Sequence, residues 1–158
     1  MKIMTVEEQY NLALKIATKA HEGQLDKSGV SYIEHPKAVA EFCKNPRAKV
    51  VALLHDTIED TWVTEDYLRE QGFDEDIIRA VVLVTKWEGF NVQRDTHTYL
   101  SGIKADPLAR EVKMGDLLHN MDPTRVIPDM ELKAKKSRFY YREFLYLYLD
   151  DMKSYTSE

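Results

Sequence analysis

Apolar residues recur at helical spacing along most of this chain. Val6, Tyr10, Ala13, Leu14 and Ala17 form one stripe. Thr5 followed by Glu8 supplies a capping box at its start. Residues 23–31 are polar, hold two glycines and read as a loop. Pro36 opens a helix that runs to about Cys43, and Asn45-Pro46 breaks it. Residues 48–58 form the next helix, apolar through Val50, Val51, Leu53 and Leu54. Thr64-Glu65-Asp66 starts another, ended by Gly72. In residues 74–85 the β-branched run would suit a strand. The polar flank Asp74-Glu75-Asp76 continues the helical period, so a helix is predicted there. Helices over 91–105 and 107–121 follow, and Pro123 ends the second. The tail is periodic at Tyr141, Phe144, Leu145, Tyr148, Leu149 and Met152. No repeat or linker interrupts the pattern. It predicts one all-α domain over residues 1–158, a bundle of about seven or eight helices.

Composition narrows the setting. At 158 residues the chain is long enough for a core without disulfides or a structural zinc. Its single cysteine, Cys43, excludes an internal disulfide framework and fits a reducing, cytoplasmic compartment. No Cys-x-x-Cys pair exists, which excludes a zinc ribbon. The start, MKIMTVEEQY, has no apolar signal core. The apolar run at residues 80–84 falls far short of a membrane span. A net charge of -5 argues against general nucleic-acid binding, yet leaves room for a basic pocket that takes a phosphorylated small molecule.

The segment LLHDTIEDT, residues 53–61, is the richest in chemistry. It holds His55, Asp56, Glu59 and Asp60 directly after an apolar helix. If that helix continues, His55 stands one turn from Glu59 and Asp56 one turn from Asp60, on adjacent stripes of one face. Carboxylates beside buried surface are costly without a cation. A divalent ion removes the cost, and mixed imidazole and carboxylate ligands suit manganese, iron or zinc. Two ligands rarely suffice. His35, just before Pro36, and Asp116, within residues 107–121, would complete a set of two nitrogens and two oxygens with positions left for water and substrate. Each also has a plainer explanation. A His-Asp pair is most often polar surface, His35 a loop residue, and Asp116 a partner for Lys113. Spacing leaves both readings open.

Three blocks weigh more together: AHEGQLDKSGVSYIEHPKAVA at 20–40, ALLHDTIEDT at 52–61 and VKMGDLLHNMDPTR at 112–125. In order and spacing they resemble the HD-domain hydrolases of the RelA/SpoT family, and most of all the stand-alone small alarmone hydrolases. The resemblance spans nearly the whole chain. It implies an all-helical HD-type bundle and a bound Mn2+ ligated by His35, His55, Asp56 and Asp116. It implies that Glu59 and Asp60 act on the water or the leaving group. It implies removal of 3′-pyrophosphate from guanosine tetra- or pentaphosphate, (p)ppGpp. One animal branch also resembles NADPH phosphatases. On this picture Glu59 orients or deprotonates the water, and Asp60 assists or protonates the departing 3′-oxygen. Such acid-base help is typically worth about a hundred- to ten-thousand-fold.

Substrate contacts are expected from Lys27 to a phosphate, from Ser28 as a hydrogen-bond donor, from Asn120 one turn beyond Asp116, and from Arg125. The plainer alternatives are a solvated loop for the first two, a helix-end cap for Asn120 and a surface ion pair for Arg125. His21 reads as a packing or outer-layer residue and His119 as a neighbour of the site. His97 has no such claim. The C-terminal tyrosines are expected to pack. Lys133, Lys135, Lys136 and Arg138 read as a solvated face with room for one phosphate contact.

The chain departs from the family pattern in places. Its loop reads Leu25-Asp26-Lys27-Ser28-Gly29, whereas the family has Arg-Lys before Ser-Gly, and that arginine helps hold guanine. An acid offers no guanidinium plane for stacking and repels phosphate. Asp116-Leu117 stands for Asp-Arg, and Met121-Asp122-Pro123 lies where Arg-Thr is common. Reaction class is therefore better supported than guanine recognition. Two other readings remain: an HD phosphohydrolase of another nucleotide such as NADPH, and a non-catalytic nucleotide-binding regulator. Glu59 beside Asp60 weighs against the regulator, because a binder needs neither. No synthetase domain follows the tail, so alarmone synthesis is not expected.

Overall fold

The computed structural model describes residues 3–124 and 130–149. Among them are nine helices and no strand: α1 Val6–Ala20, α2 Glu34–Phe42, α3 Pro46–Leu54, α4 Thr57–Asp60, α5 Glu65–Glu70, α6 Glu75–Val84, α7 Val92–Lys104, α8 Pro107–Asn120 and α9 Met130–Tyr148. The all-α expectation holds, and residues 74–85 are helical as the period required. Met152 lies outside the described residues.

Local chemistry explains where the helices begin. The Thr5 hydroxyl accepts from the Glu8 amide at 3.1 Å, and the Thr5 amide donates to Glu8 Oε1 at 3.2 Å, the reciprocal box that Thr5 and Glu8 predict. Asn45 caps α3 by accepting from the Arg47 amide, with Pro46 in the first helical position. Thr64, Asn91 and Asp106 cap α5, α7 and α8 in the same way. Helix α2 begins at Glu34, ahead of the predicted Pro36. Pro36 then falls in the first turn, where its missing N–H would have had no helical partner.

The predicted helix over 48–58 is two helices. It stops at Leu54 and restarts at Thr57, with Asp56 between them at φ -105 and ψ 0. Side chains take the carbonyls that a continuing helix would pair. His55 Nδ1 donates to Ala52 O at 2.6 Å, and the Thr57 hydroxyl donates to Leu54 O at 2.7 Å. His55 and Asp56 therefore do not ride on one helix face with Glu59 and Asp60. They occupy the corner.

Helix α3 is the centre of the core. Val50 through Leu54 are fully buried, and α3 packs against α1, α2, α6 and α8. Helices α2 and α8 also pack on each other, closely, because position 115 is glycine. A Cβ there would lie 3.2 Å from Phe42 Cβ and 3.3 Å from the Val39 carbonyl oxygen. Among the described residues no helix is long and apolar enough to cross a membrane.

That close approach predicts opposite signs for two alanine substitutions. At Gly102, a Cβ meets only Leu83 at 3.6 Å. Gly102→Ala should stabilise the protein by about 0.5–1 kcal/mol through helix propensity. Gly115→Ala should lose that gain to overpacking and come out destabilised by about 1 kcal/mol or more. Urea unfolding of the two variants measures the difference, and equal stabilisation would refute the tight α2–α8 contact.

Candidate functional site

Three elements converge at the corner after α3. Helix α2 brings His35 in its first turn, the α3–α4 break brings His55 and Asp56, and α8 brings Asp116. His35 Nε2 lies 2.9 Å from Asp116 Oδ1 and 3.7 Å from Asp56 Oδ2. His55 Nε2 lies 3.1 Å from Asp56 Oδ2 and 3.6 Å from Asp116 Oδ1. Ligand atoms of His35, His55 and Asp116 all fall within 4.8 Å of one another. The tertiary fold thus brings together all four residues considered as ligands, from segments more than eighty residues apart in sequence for His35 and Asp116.

The donor set fits a divalent ion. An ion about 2.1 Å from each donor separates neighbouring donors by about 3.0 Å in octahedral geometry and about 3.4 Å in tetrahedral geometry. The four separations above span those values. His55 supplies a second test. Its Nδ1 proton is committed to Ala52 O, so once the second proton is lost it is Nε2 that offers the lone pair. That nitrogen is buried and makes no hydrogen bond among the described residues. An orphaned buried lone pair facing two carboxylates suits a cation.

Electrostatics agree. Burial disfavours charge on His55, but Asp56 and Asp116 outweigh it and hold its pKa well above the usual imidazole value. Burial would raise Asp116, yet Lys113 and the two imidazoles hold it well below the carboxylate range. Asp56 is likewise lowered, burial being overcome by His55 beside it. Outer partners steady the carboxylates. The Tyr32 hydroxyl donates to Asp56 Oδ2 at 2.6 Å, Lys113 Nζ to Asp116 Oδ2 at 3.0 Å, and Asn120 Nδ2 to Asp116 Oδ1 at 3.2 Å. Asp116 therefore has both the Lys113 partner and a place among the four.

A cavity of about 470 Å³ opens on these groups, within the usual range for small-ligand sites. Glu59, Asp60, Lys27, Ser28 and Asn120 all line it. Glu59 Oε1 accepts from the Lys86 amide at 2.8 Å, which fixes the carboxylate. Burial first, then Asp56 and Glu59, push Asp60 up to about 6 against the pull of His55. Ser28, expected as a donor to substrate, instead donates its hydroxyl to Asp26 Oδ1 at 2.7 Å. Asp26 Oδ1 also accepts from the Ser28 and Val30 amides, so the acid organises the loop turn. Arg125 lies outside the described residues.

Several groups at the site escaped the sequence reading or were placed elsewhere by it. Tyr32 had no catalytic spacing to reveal it, whereas the Lys113–Asp116 pair was anticipated from its i,i+3 spacing. Lys136 leaves the expected solvated face and lines the cavity with Lys27. Contact with Lys27 is the main reason its pKa is lowered. Tyr140 also lines the cavity rather than only packing. Glu143 lies there too, 5% exposed and raised by burial against Lys113 and Lys86. His119 meets His35 directly, Nδ1 to Nδ1 at 2.7 Å. His21 packs on the Tyr32 ring, and His97 meets the Tyr146 ring edge-on.

Comparison with known proteins finds the same architecture. The family model described as HD domain matches residues 13–127. A probable GTP pyrophosphokinase of Mycobacterium leprae is 36% identical over 138 residues, 80% of this chain and 17% of that protein. The bifunctional (p)ppGpp synthase/hydrolase RelA of Mycobacterium tuberculosis is 37% identical over 80% of this chain and 18% of its own length. A guanosine-3′,5′-bis(diphosphate) 3′-pyrophosphohydrolase of Haemophilus influenzae is 35% identical over 67% of this chain and 17% of its own. The chain thus spans less than a fifth of these relatives' length. Among solved structures, a metazoan ortholog of SpoT that hydrolyzes ppGpp superposes with a TM-score of 0.67 at 19% identity, covering 94% of this chain and 97% of that one. At that identity the likeness concerns the fold.

The raised His55 pKa gives the site a pH signature. A metal must displace the imidazole proton, so binding releases protons and weakens as pH falls. Apparent Mn2+ affinity should drop roughly tenfold per pH unit for each proton displaced. Calorimetric titration in buffers of different ionisation enthalpy, between about pH 8 and about pH 6, measures both effects. Binding without proton release would contradict ligation by His55.

Proposed function

The chain belongs to the HD-domain family, and from that membership we propose that it is a metal-dependent phosphohydrolase removing 3′-pyrophosphate from (p)ppGpp. The convergence of His35, His55, Asp56 and Asp116 on a cavity also lined by Glu59, Asp60, Lys27 and Lys136 carries this reading. The relatives described as (p)ppGpp enzymes support the substrate. Manganese is the ion we assign: His35, His55, Asp56 and Asp116 would hold it, and a ligand set that mixes imidazole with carboxylate suits it. Such an ion, when bound, polarises a phosphoryl oxygen and lowers the pKa of water. The work is placed in the cytoplasm, where Cys43 stays reduced.

The side chains divide the remaining tasks. Glu59, held through Oε1 by the Lys86 amide, presents Oε2 to orient and deprotonate the attacking water. Asp60, pushed up to about 6, carries a proton more readily than an ordinary aspartate and delivers it to the departing 3′-oxygen. Lys27 and Lys136 hold phosphate. Two ammonium groups in contact repel each other, and an anion bridging them relieves that repulsion. Asn120 steadies Asp116 at the cavity wall. Arg125 is assigned to phosphate from its place in the third sequence block, and the Ser28 loop borders the same cavity.

A substrate panel tests the proposal. Mn2+-loaded protein is incubated with (p)ppGpp, NADPH and simple nucleotides, and phosphate and pyrophosphate are assayed separately. Pyrophosphate from (p)ppGpp is the expected product. Orthophosphate from another nucleotide would replace the substrate while keeping the hydrolase. Nucleotide binding with no release would overturn the enzyme reading. Glu59→Gln should keep the metal and lose about a hundred- to ten-thousand-fold in turnover.

A further inference from the structure

The two ligand histidines are oriented by different means. His55 is fixed by the backbone, through Nδ1 to Ala52 O. His35 meets no backbone acceptor at Nδ1. That atom lies 2.7 Å from Nδ1 of His119, on α8, and the two rings stack at 28° with centroids 4.9 Å apart. His35 Nε2, at 2.9 Å from Asp116 Oδ1, is the nitrogen that faces the other donors.

We propose that His119 is a positioning residue for the metal: it accepts a hydrogen bond from His35 Nδ1 and so keeps the Nε2 lone pair on the ion. The inference rests on the metal reading above. A neutral imidazole has one proton. If Nε2 is to ligate, the proton must sit on Nδ1, and His35 is only 5% exposed, so that N–H needs a protein acceptor. His119 Nδ1 is the atom in place to accept it. Metal-bound histidines usually donate this second N–H to a carboxylate or carbonyl. Here a second imidazole takes that part, its own proton on Nε2. The stacked rings also block rotation of His35 about its Cβ–Cγ bond. Helix α8 therefore serves the site three times within five residues: Asp116 as ligand, His119 on His35, and Asn120 on Asp116. The Gly115 contact that seats α8 against α2 sets all three at once.

Acceptor and ring can be separated by substitution. His119→Phe keeps a stacking ring and removes the acceptor. His119→Gln removes the ring and supplies an amide oxygen. Mn2+ affinity is read by counting free Mn2+ with electron paramagnetic resonance, and ligand geometry by the visible absorption of bound Co2+. Melting temperatures without metal control for folding, and the half-buried position of residue 119 favours tolerance. Phe should weaken Mn2+ binding by about ten- to a hundred-fold and alter the Co2+ spectrum, while Gln should restore both to near the parent. Parent-like binding by Phe, or Gln as weak as Phe, overturns the acceptor role. His119→Ala repeats the loss of the acceptor without added bulk, so the comparison with Gln survives if Phe unfolds. Failure of the parent protein to bind Mn2+ at all would instead overturn the metal reading itself.

Discussion

Two carboxylates and two imidazoles meet within 2.9–3.7 Å at the junction of α2, α3 and α8. Ionised carboxylates this close repel each other, and burial deprives them of water. The fold answers by surrounding them with donors: the Tyr32 hydroxyl, the Lys113 ammonium and the Asn120 amide. Those groups approach the two aspartates from around the cluster. Between the four ligand residues, lone pairs converge. A cluster with donors around it and lone pairs within fits a cation, and the remaining architecture holds it in register.

Two backbone features make the register. The break at His55-Asp56 turns the chain out of α3, so that an imidazole and a carboxylate from adjacent residues face the same point. A continuous helix would have spread them by about 100° around its axis. Gly115 then lets α8 approach α2 until Asp116 reaches His35. Each feature costs something locally. A helix interior loses two carbonyl partners to side chains in the first, and helix propensity suffers in the second. Both costs fall at the His-Asp cluster, and functional sites are where a fold commonly departs from local rules.

Beyond the cluster, the cavity separates chemistry from recognition. Glu59 and Asp60 are set by α4, a helix of four residues anchored by the same break. Lys27 comes from the loop before α2 and Lys136 from α9, so these two lysines reach the cavity from elements far apart in sequence. Asp26 changes meaning in this setting. In the sequence it stands out only as an acid where the family has arginine. In the folded loop it accepts three hydrogen bonds and shapes the turn that carries Lys27. The turn gives Asp26 a structural reason to stand beside Lys27.

Much of this protein was legible in its sequence. Helical spacing and capping residues located the helices, because both depend on neighbours within one turn. The blocks around His35, His55-Asp56 and Asp116 named the four metal candidates, because ligand chemistry restricts residue type. Tertiary structure alone decided the rest. The split of residues 48–58 depends on the His55 and Thr57 side chains competing for α3 carbonyls, which no hydrophobic period records. The contacts of Tyr32, Lys136 and His119 depend on which elements touch. Their spacing carries no signal, since a hydrogen bond across 84 residues leaves no local pattern. Residue type could name the ligands, but only packing could bring them together and supply the groups that aim them.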